Sequence, residues 1–235
     1  MPRRPRLNVP GIPWHIIQRG NNRSACFYDD ADYLYYLATL AEQADKHRCW
    51  IHAYVLMTNH VHLLLTPEKE DSAALLMKHL GQRYVQYINR SYRRSGTLWE
   101  GRFKSCLAQD ETYVLTCHRY IELNPVRAKM VEHPSEYRWS SYRANGEGRT
   151  NPLLTPHPEY RRLGTSDPER QAAYRALFLA HLDPEAVENI RNATNGNYAL
   201  GDSRFQQEIA HMLKRRVTRG RSGRPSKQKN GEPLE

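Results

Sequence analysis

No stretch of this 235-residue chain is apolar for long enough to span or anchor in a membrane. The first residues, Met1 Pro2 Arg3 Arg4 Pro5 Arg6, carry none of the apolar segment that a secretory leader needs. Cysteine is sparse: Cys26, Cys49, Cys106 and Cys117 stand far apart with no CxxC pair, so neither a zinc ribbon nor a disulfide framework is indicated. These absences lead to the expectation of a cytosolic, reduced protein. Acid is also short, with 25 Asp and Glu against 35 Lys and Arg, which gives a formal net charge of +10. A surplus of that sign points to a polyanionic partner, nucleic acid before membrane. The alternative is a merely solvated basic surface, and the clustering of the cations argues against it.

What is present centres on Leu56 Met57 Thr58 Asn59 His60 Val61 His62 Leu63 Leu64 Leu65. Side chains alternate along a strand, so His60 and His62 share one face and Val61 enters the opposite layer. Two neutral imidazoles so placed can ligate a divalent cation, with at least one further ligand from elsewhere. Two histidines that are only hydrogen-bonded on a half-buried strand are the competing assignment for the pair taken alone.

The flanking sequence reads as alternating strands and helices. Residues 14–18 form a first strand, followed by the loop Arg19 Gly20 Asn21 Asn22 Arg23, rich in backbone-permissive and phosphate-binding types. Residues 29–46 repeat apolar side chains at helical period. Residues 49–57 suit a strand covered on both faces, turning through Thr58 and Asn59 into a 60–66 strand as a hairpin. A second long helix is expected over 72–94 and a fourth strand over 102–109. Asp110 is the expected N-cap of a helix over 111–123 that Pro125 terminates.

Between the second helix and the fourth strand, Arg83, Arg90, Arg93, Arg94, Arg102 and Lys104 interleave with Tyr92, Trp99 and Phe103. Cations track phosphates while aromatic faces accept unstacked bases, a pattern suited to single-stranded nucleic acid. Buried aromatics beside a solvated turn would use the same residue types. On the 111–123 helix, Tyr120 and Asn124 are four apart and share a face. A tyrosine hydroxyl, with an ordinary pKa of about 10, is a poor nucleophile near neutrality, yet it suffices when a metal polarises the phosphorus it attacks.

Several runs together identify a family resemblance. His60 Val61 His62 resembles the HUH motif. Arg119 Tyr120 Ile121 Glu122 Leu123 Asn124 Pro125 Val126 Arg127 Ala128 resembles the catalytic-tyrosine helix of IS200-like Y1 transposases, especially the REP-associated tyrosine transposases. Trp14 through Arg23, Ser95 through Ser105, and Trp139 Ser140 Ser141 Tyr142 match further family motifs in the right order, so that residues 10–145 are covered. The resemblance implies an α+β, ferredoxin-like fold with an antiparallel sheet and helices on one face. It implies a single-stranded DNA endonuclease and strand transferase that cleaves near DNA hairpins, forming a 5′-phosphotyrosine and releasing a 3′-OH. Carried over by residue, the nucleophile is Tyr120, and the ligands of Mg²⁺ or Mn²⁺ are His60, His62 and Asn124, the last being a position where some relatives place glutamine. Arg19, Asn21, Asn22, Arg23, Arg83, Arg90, Arg93, Arg94, Trp99, Arg102 and Lys104 are the expected DNA contacts. The partner is single-stranded DNA carrying a palindromic hairpin, and the site of action is cytoplasmic, at the nucleoid. The branch resembled favours a monomer, with a dimer as the alternative.

The chain divides by composition into 1–145, the nuclease-like unit, 146–213, a helical region, and 214–235, a basic tail expected to be disordered. Helices are expected over 168–181, 184–191 and 203–216, the last with Phe205, Ile209, Met212 and Leu213 on one face. In the tail, Arg221 Ser222 Gly223 Arg224 Pro225 resembles a degenerate minor-groove AT-hook, so Arg221 and Arg224 join the expected DNA contacts, against a plain solvated tail. Two other functions stay open. A replication initiator or relaxase-like nicking enzyme shares the HUH chemistry, and a hairpin-binding regulator would need no catalysis. A histidine-triad hydrolase is excluded because Leu64 stands where its next histidine belongs.

Overall fold

The computed structural model describes residues 4–220. Strand β1 (Trp14–Arg19) leads through a 3-10 turn at Asn21–Arg23 to helix α1 (Asp30–Lys46). Asp29 caps that helix by accepting from the Ala31 amide, and Asp32 reaches back to the Asp29 N–H, which closes a capping box. The expected hairpin is present: β2 (Cys49–Met57) and β3 (His60–Pro67) pair antiparallel, with Met57 opposite His60 across the two-residue turn. Helix α2 (Ser72–Ser91) stops short of the expected end at 94, because Arg93 takes a left-handed conformation at φ 49°. Strand β4 (Lys104–Ala108) is shorter than expected but lies where the sequence places it.

The sheet order is β2-β3-β1-β4-β5, and the first four strands pair antiparallel in the ferredoxin-like β-α-β-β-α-β sequence. The short β5 (Ala199–Leu200) then adds a parallel edge to β4, so the whole sheet is mixed. Register fixes the two faces. Arg19 lies opposite His60 and Ile17 opposite both His62 and Lys104, while His15 lies opposite Cys106. These side chains therefore share one face, and Trp14, Ile16, Gln18, Val61, Leu63 and Leu65 take the other. Helices α1 and α2 cover that second face, with Gly81 of α2 beside the Gln18 side chain.

The histidine face is covered as well, which extends the expectation of helices on one face. Helix α3 (Asp110–Glu122), the four-residue helix α4 (Asn124–Arg127) and, after the helices α5 (Tyr142–Asn145), α6 (Pro158–Arg161) and α7 (Asp167–Ala176), helix α8 (Pro184–Gly196) supply the cover. The physical reason is that Ala53, Val55, Met57 and Leu64 make this face apolar too, and an apolar sheet face must be buried. Gln109, one residue earlier than expected, takes the N-cap position of α3. Pro125 does not simply end the helical path but sits in the first turn of α4, where its missing N–H costs nothing.

Ile190, Ala193, Leu200, Phe205 and Ile209 join the same hydrophobic core as the sheet, while Tyr142, Tyr160 and Tyr174 form a second cluster beside it. On α9 (Ser203–Leu213), Phe205 and Ile209 are buried but Met212 is 56 % exposed, contrary to the expected shared face. The described part of the span expected as a basic tail makes packed contacts. Val217 is buried, its carbonyl accepts from the Ala199 N–H at 2.9 Å, and Arg215 donates to the Arg6 carbonyl. Arg221 and Arg224 lie outside the described residues. No helix among the described residues is long and apolar enough to cross a membrane.

Candidate active site

His60 and His62 sit side by side on β3 with ring centroids 5.1 Å apart, as the strand period requires. The tautomer of His60 follows from its neighbour in the turn. Asn59 points its amide nitrogen at the Arg23 carbonyl, 3.1 Å away, and a carbonyl can only accept. The Asn59 Oδ1 therefore accepts from His60 Nδ1–H at 2.6 Å, which leaves the Nε2 lone pair of His60 unprotonated. His62 is buried and places its Nδ1 2.8 Å from Nε2 of His15, a residue with no role in the sequence reading. Burial, then neighbouring cations, holds these rings neutral. His15 is pushed down to about 3 by burial and Arg127, His60 to about 4 by burial, Arg19 and Arg127, and His62 lies well below the usual histidine range, chiefly through burial.

Helix α3 brings the expected nucleophile onto this pair. The Tyr120 ring stands edge-on to His15 and His62, with centroids 5.5 and 5.7 Å away. Asn124 does lie one turn beyond, and its Nδ2 donates to the Tyr120 carbonyl at 3.1 Å. One lone pair of its Oδ1 is taken by Arg127, which donates from Nη2 at 3.2 Å, and the other remains. Arg127 is the second residue that the sequence reading missed. Burial lowers its pKa and the Tyr120 phenol opposes that shift. Its spacing from Asn124 and Tyr120, three and seven positions, was the available signal, because those intervals share a helix face.

A buried carboxylate anchors α3. Glu122 accepts from Ser141 Oγ at 2.5 Å, Asn145 Nδ2 at 2.9 Å and the Tyr174 hydroxyl at 2.7 Å. Burial pushes Glu122 up to about 7 against the pull of those three donors. Ser141 also accepts from the Tyr54 N–H at 2.9 Å, and the Leu56 N–H donates to the Trp139 carbonyl at 2.9 Å. The Trp139 to Tyr142 run is thus a clasp joining β2, α3 and α7, which fixes the height of Tyr120 over the sheet.

The expected DNA contacts fall in two places. Arg19, Arg102 and Lys104 line a cleft beside β1 and β4 together with Asn195, whose Oδ1 accepts from Lys104 at 2.9 Å. Arg4 and Arg6 continue it past Phe103 and Tyr198. Asn21, Asn22 and Arg23 form the turn at its head, with Asn22 and Arg23 in the left-handed region. Gly20 is required there because a Cβ would strike the Ser24 carbonyl oxygen. Arg83, Arg90, Arg93 and Arg94 instead lie on α2 and the turn after it, over the other sheet face. Arg83 pairs there with Glu42, and Arg94 with the Tyr28 hydroxyl.

Trp99 departs from the expected stacking role. It is buried against Tyr84, ring centroids 5.9 Å apart, because its backbone bridges to Gly20 and draws the ring into the α2 layer. Phe103 is also buried, and of the three aromatics Tyr92 alone is exposed.

Among the described residues no group of three His, Cys, Asp or Glu could hold a metal. The donors expected from the sequence are of another composition: two neutral imidazoles side by side on β3, and the Asn124 amide oxygen one turn beyond Tyr120. One imidazole, His60, has its lone pair set outward by a hydrogen-bonded Nδ1–H. In chemical type, two imidazoles and an amide oxygen suit a borderline divalent cation.

The sequence pattern of the IS200-like transposases matches residues 8–124. A Haemophilus influenzae protein described as a REP-associated tyrosine transposase is 28 % identical over 101 residues, which are 38 % of this chain and 57 % of that protein. This chain thus spans little more than half of that relative's length. A solved structure of a REP-associated tyrosine transposase bound to a REP hairpin superposes with a TM-score of 0.56 and 17 % identity, covering 68 % of this chain and 93 % of the other. At that identity the likeness is one of fold. With the HUH pair, the tyrosine helix and the ferredoxin-like sheet in one arrangement, residues 8–124 belong to the IS200-like Y1 transposase family.

Proposed function

We propose that this protein is a single-stranded DNA endonuclease and strand transferase that cuts beside a DNA hairpin through a covalent link to Tyr120. The observation that carries the reading is the approach of the Tyr120 ring to the paired histidines, 5.7 Å from His62 and 5.5 Å from His15. The Tyr120 oxygen attacks the scissile phosphorus, an O–P bond forms to the tyrosine, and the bond from phosphorus to the 3′ oxygen breaks. The phenol proton is lost, the departing 3′ oxygen gains one, and the 5′ phosphate stays on the protein. One phosphodiester replaces another, so the step is reversible and a second 3′-OH can reclaim the strand. Arg127 and Arg19 flank the histidines and offset charge building on the phosphate oxygens. His60 and His62, with Asn124, would hold Mg²⁺ or Mn²⁺, which supplies Lewis-acid polarisation of the phosphate when bound. The cleft of Arg19, Arg102 and Lys104 receives the single-stranded flank, and a hairpin stem is the recognised partner.

The test compares wild type with Tyr120→Phe on oligonucleotides carrying a hairpin and a single-stranded flank, labelled at either end. Wild type should yield a denaturant-resistant adduct on the 5′-phosphate side and a free 3′-OH product. The phenylalanine variant should bind the hairpin and form neither. Hairpin binding without cleavage by the wild type would make the protein a DNA-binding regulator instead.

A further inference from the structure

Helix α8 reaches the active site from beyond the segment that carries the HUH and tyrosine motifs. Thr194, on its last turn and 1 % exposed, donates its hydroxyl proton to the Ile190 carbonyl at 2.7 Å. That carbonyl can only accept, so the single hydroxyl proton is committed and Thr194 Oγ1 faces its other neighbours with lone pairs. Those neighbours are Cys106 Sγ at 3.3 Å and His15 Nδ1 at 3.0 Å. His15 therefore carries its proton on Nδ1, and its Nε2 is an acceptor. The group against that acceptor is His62 Nδ1 at 2.8 Å, with the two ring planes within 7° of parallel. His62 then holds its proton on Nδ1 and leaves Nε2 as a bare lone pair.

We infer that Thr194 and His15 are positioning residues that lock the tautomer of His62 so that its Nε2 is free to bind a divalent cation. The relay is buried throughout, with His15 0 % and His62 1 % exposed, so no water competes for these protons. It matches in effect what Asn59 does for His60, but the two locks come from different places, one from the β-turn and one from a C-terminal helix. The structural lock stands on the hydrogen-bond geometry, while its purpose rests on the nuclease reading given above. A hydroxyl at 194 is essential to it. Serine preserves the relay, whereas valine keeps the shape and leaves His15 Nδ1–H without an acceptor.

The test is a long-range ¹H–¹⁵N correlation spectrum of the full chain labelled at histidine nitrogen, without metal or DNA, with His62 assigned by its loss in His62→Gln. Wild type and Thr194→Ser should show a pyridine-like Nε2 and a pyrrole-like Nδ1 at His62, and Thr194→Val should show averaging of the two. Mn²⁺ affinity followed by electron paramagnetic resonance should fall about tenfold or more in Thr194→Val and recover in Thr194→Ser. A wild-type His62 protonated on Nε2 would overturn the lock, as would an unchanged tautomer in a folded Thr194→Val. The stated tautomer in a wild-type protein that neither binds Mn²⁺ nor cleaves DNA would uphold the lock and overturn the nuclease reading.

Discussion

The guanidinium of Arg127 lies over the ring of Tyr120, its central carbon 4.2 Å from the ring centroid. On the proposed mechanism, a flat cation held against the phenol would serve the attacking oxygen and the phosphate together, and a fork of donors suits both better than a point charge. Arg127→Ala should lower single-turnover cleavage by about a hundredfold, with hairpin affinity little changed, and Arg127→Lys should fall between. Quench-flow cleavage at saturating DNA reads this. Equal losses in binding and cleavage would assign Arg127 to DNA holding alone.

Replacing His60 or His62 by Ala should raise the Mg²⁺ or Mn²⁺ concentration needed for half-maximal cleavage by about tenfold or more, and Asn124→Ala should do so more mildly. Metal titrations of cleavage, with chelator controls, supply the measurement. Wild-type cleavage that persists in EDTA would remove the metal from the reaction.

The cationic cleft should appear in the salt dependence. Arg102→Ala and Lys104→Ala should each reduce the slope of log affinity against log salt by about 0.7 on a single-stranded flank, if each cation neutralises one phosphate. Arg90→Ala, on the other sheet face, serves as the comparison. Equal slope changes from both surfaces would show that the strand crosses α2 as well.

Stability should depend on pH through groups of opposite sign. Burial holds His52 down to about 4, below its unfolded value, so its contribution is present above about 6.5 and is lost as pH falls toward 4. Glu122, raised to about 7, works the other way. Its contribution is present below the ordinary carboxylate pKa and is lost as pH rises through 7. His52→Gln should therefore flatten the rise of unfolding free energy with pH between 4 and 6.5, and Glu122→Gln should steepen it between 4.5 and 7. Each proton involved is worth about 1.4 kcal/mol per pH unit. Urea titrations across that range, read by fluorescence, give both slopes.

The sequence by itself determined the strand that carries His60 and His62, the two-residue hairpin before it, the helix bearing Tyr120 and the family to which these belong. Those features are written in short intervals, the period of two that puts both histidines on one face and the period of 3.6 that aligns Tyr120 with Asn124. Only the tertiary structure decided what stands around them. His15 meets Thr194 across 179 positions, and the same histidine touches His62 across 47. Trp99 reads as a stacking platform until its backbone bridge to Gly20 sinks it into the core. Met212 follows the helical period of its buried neighbours but faces solvent. For His15 and Trp99 the deciding contact joins segments distant in the chain, and no local period encodes which side chains a folded sheet and its covering helices will bring together.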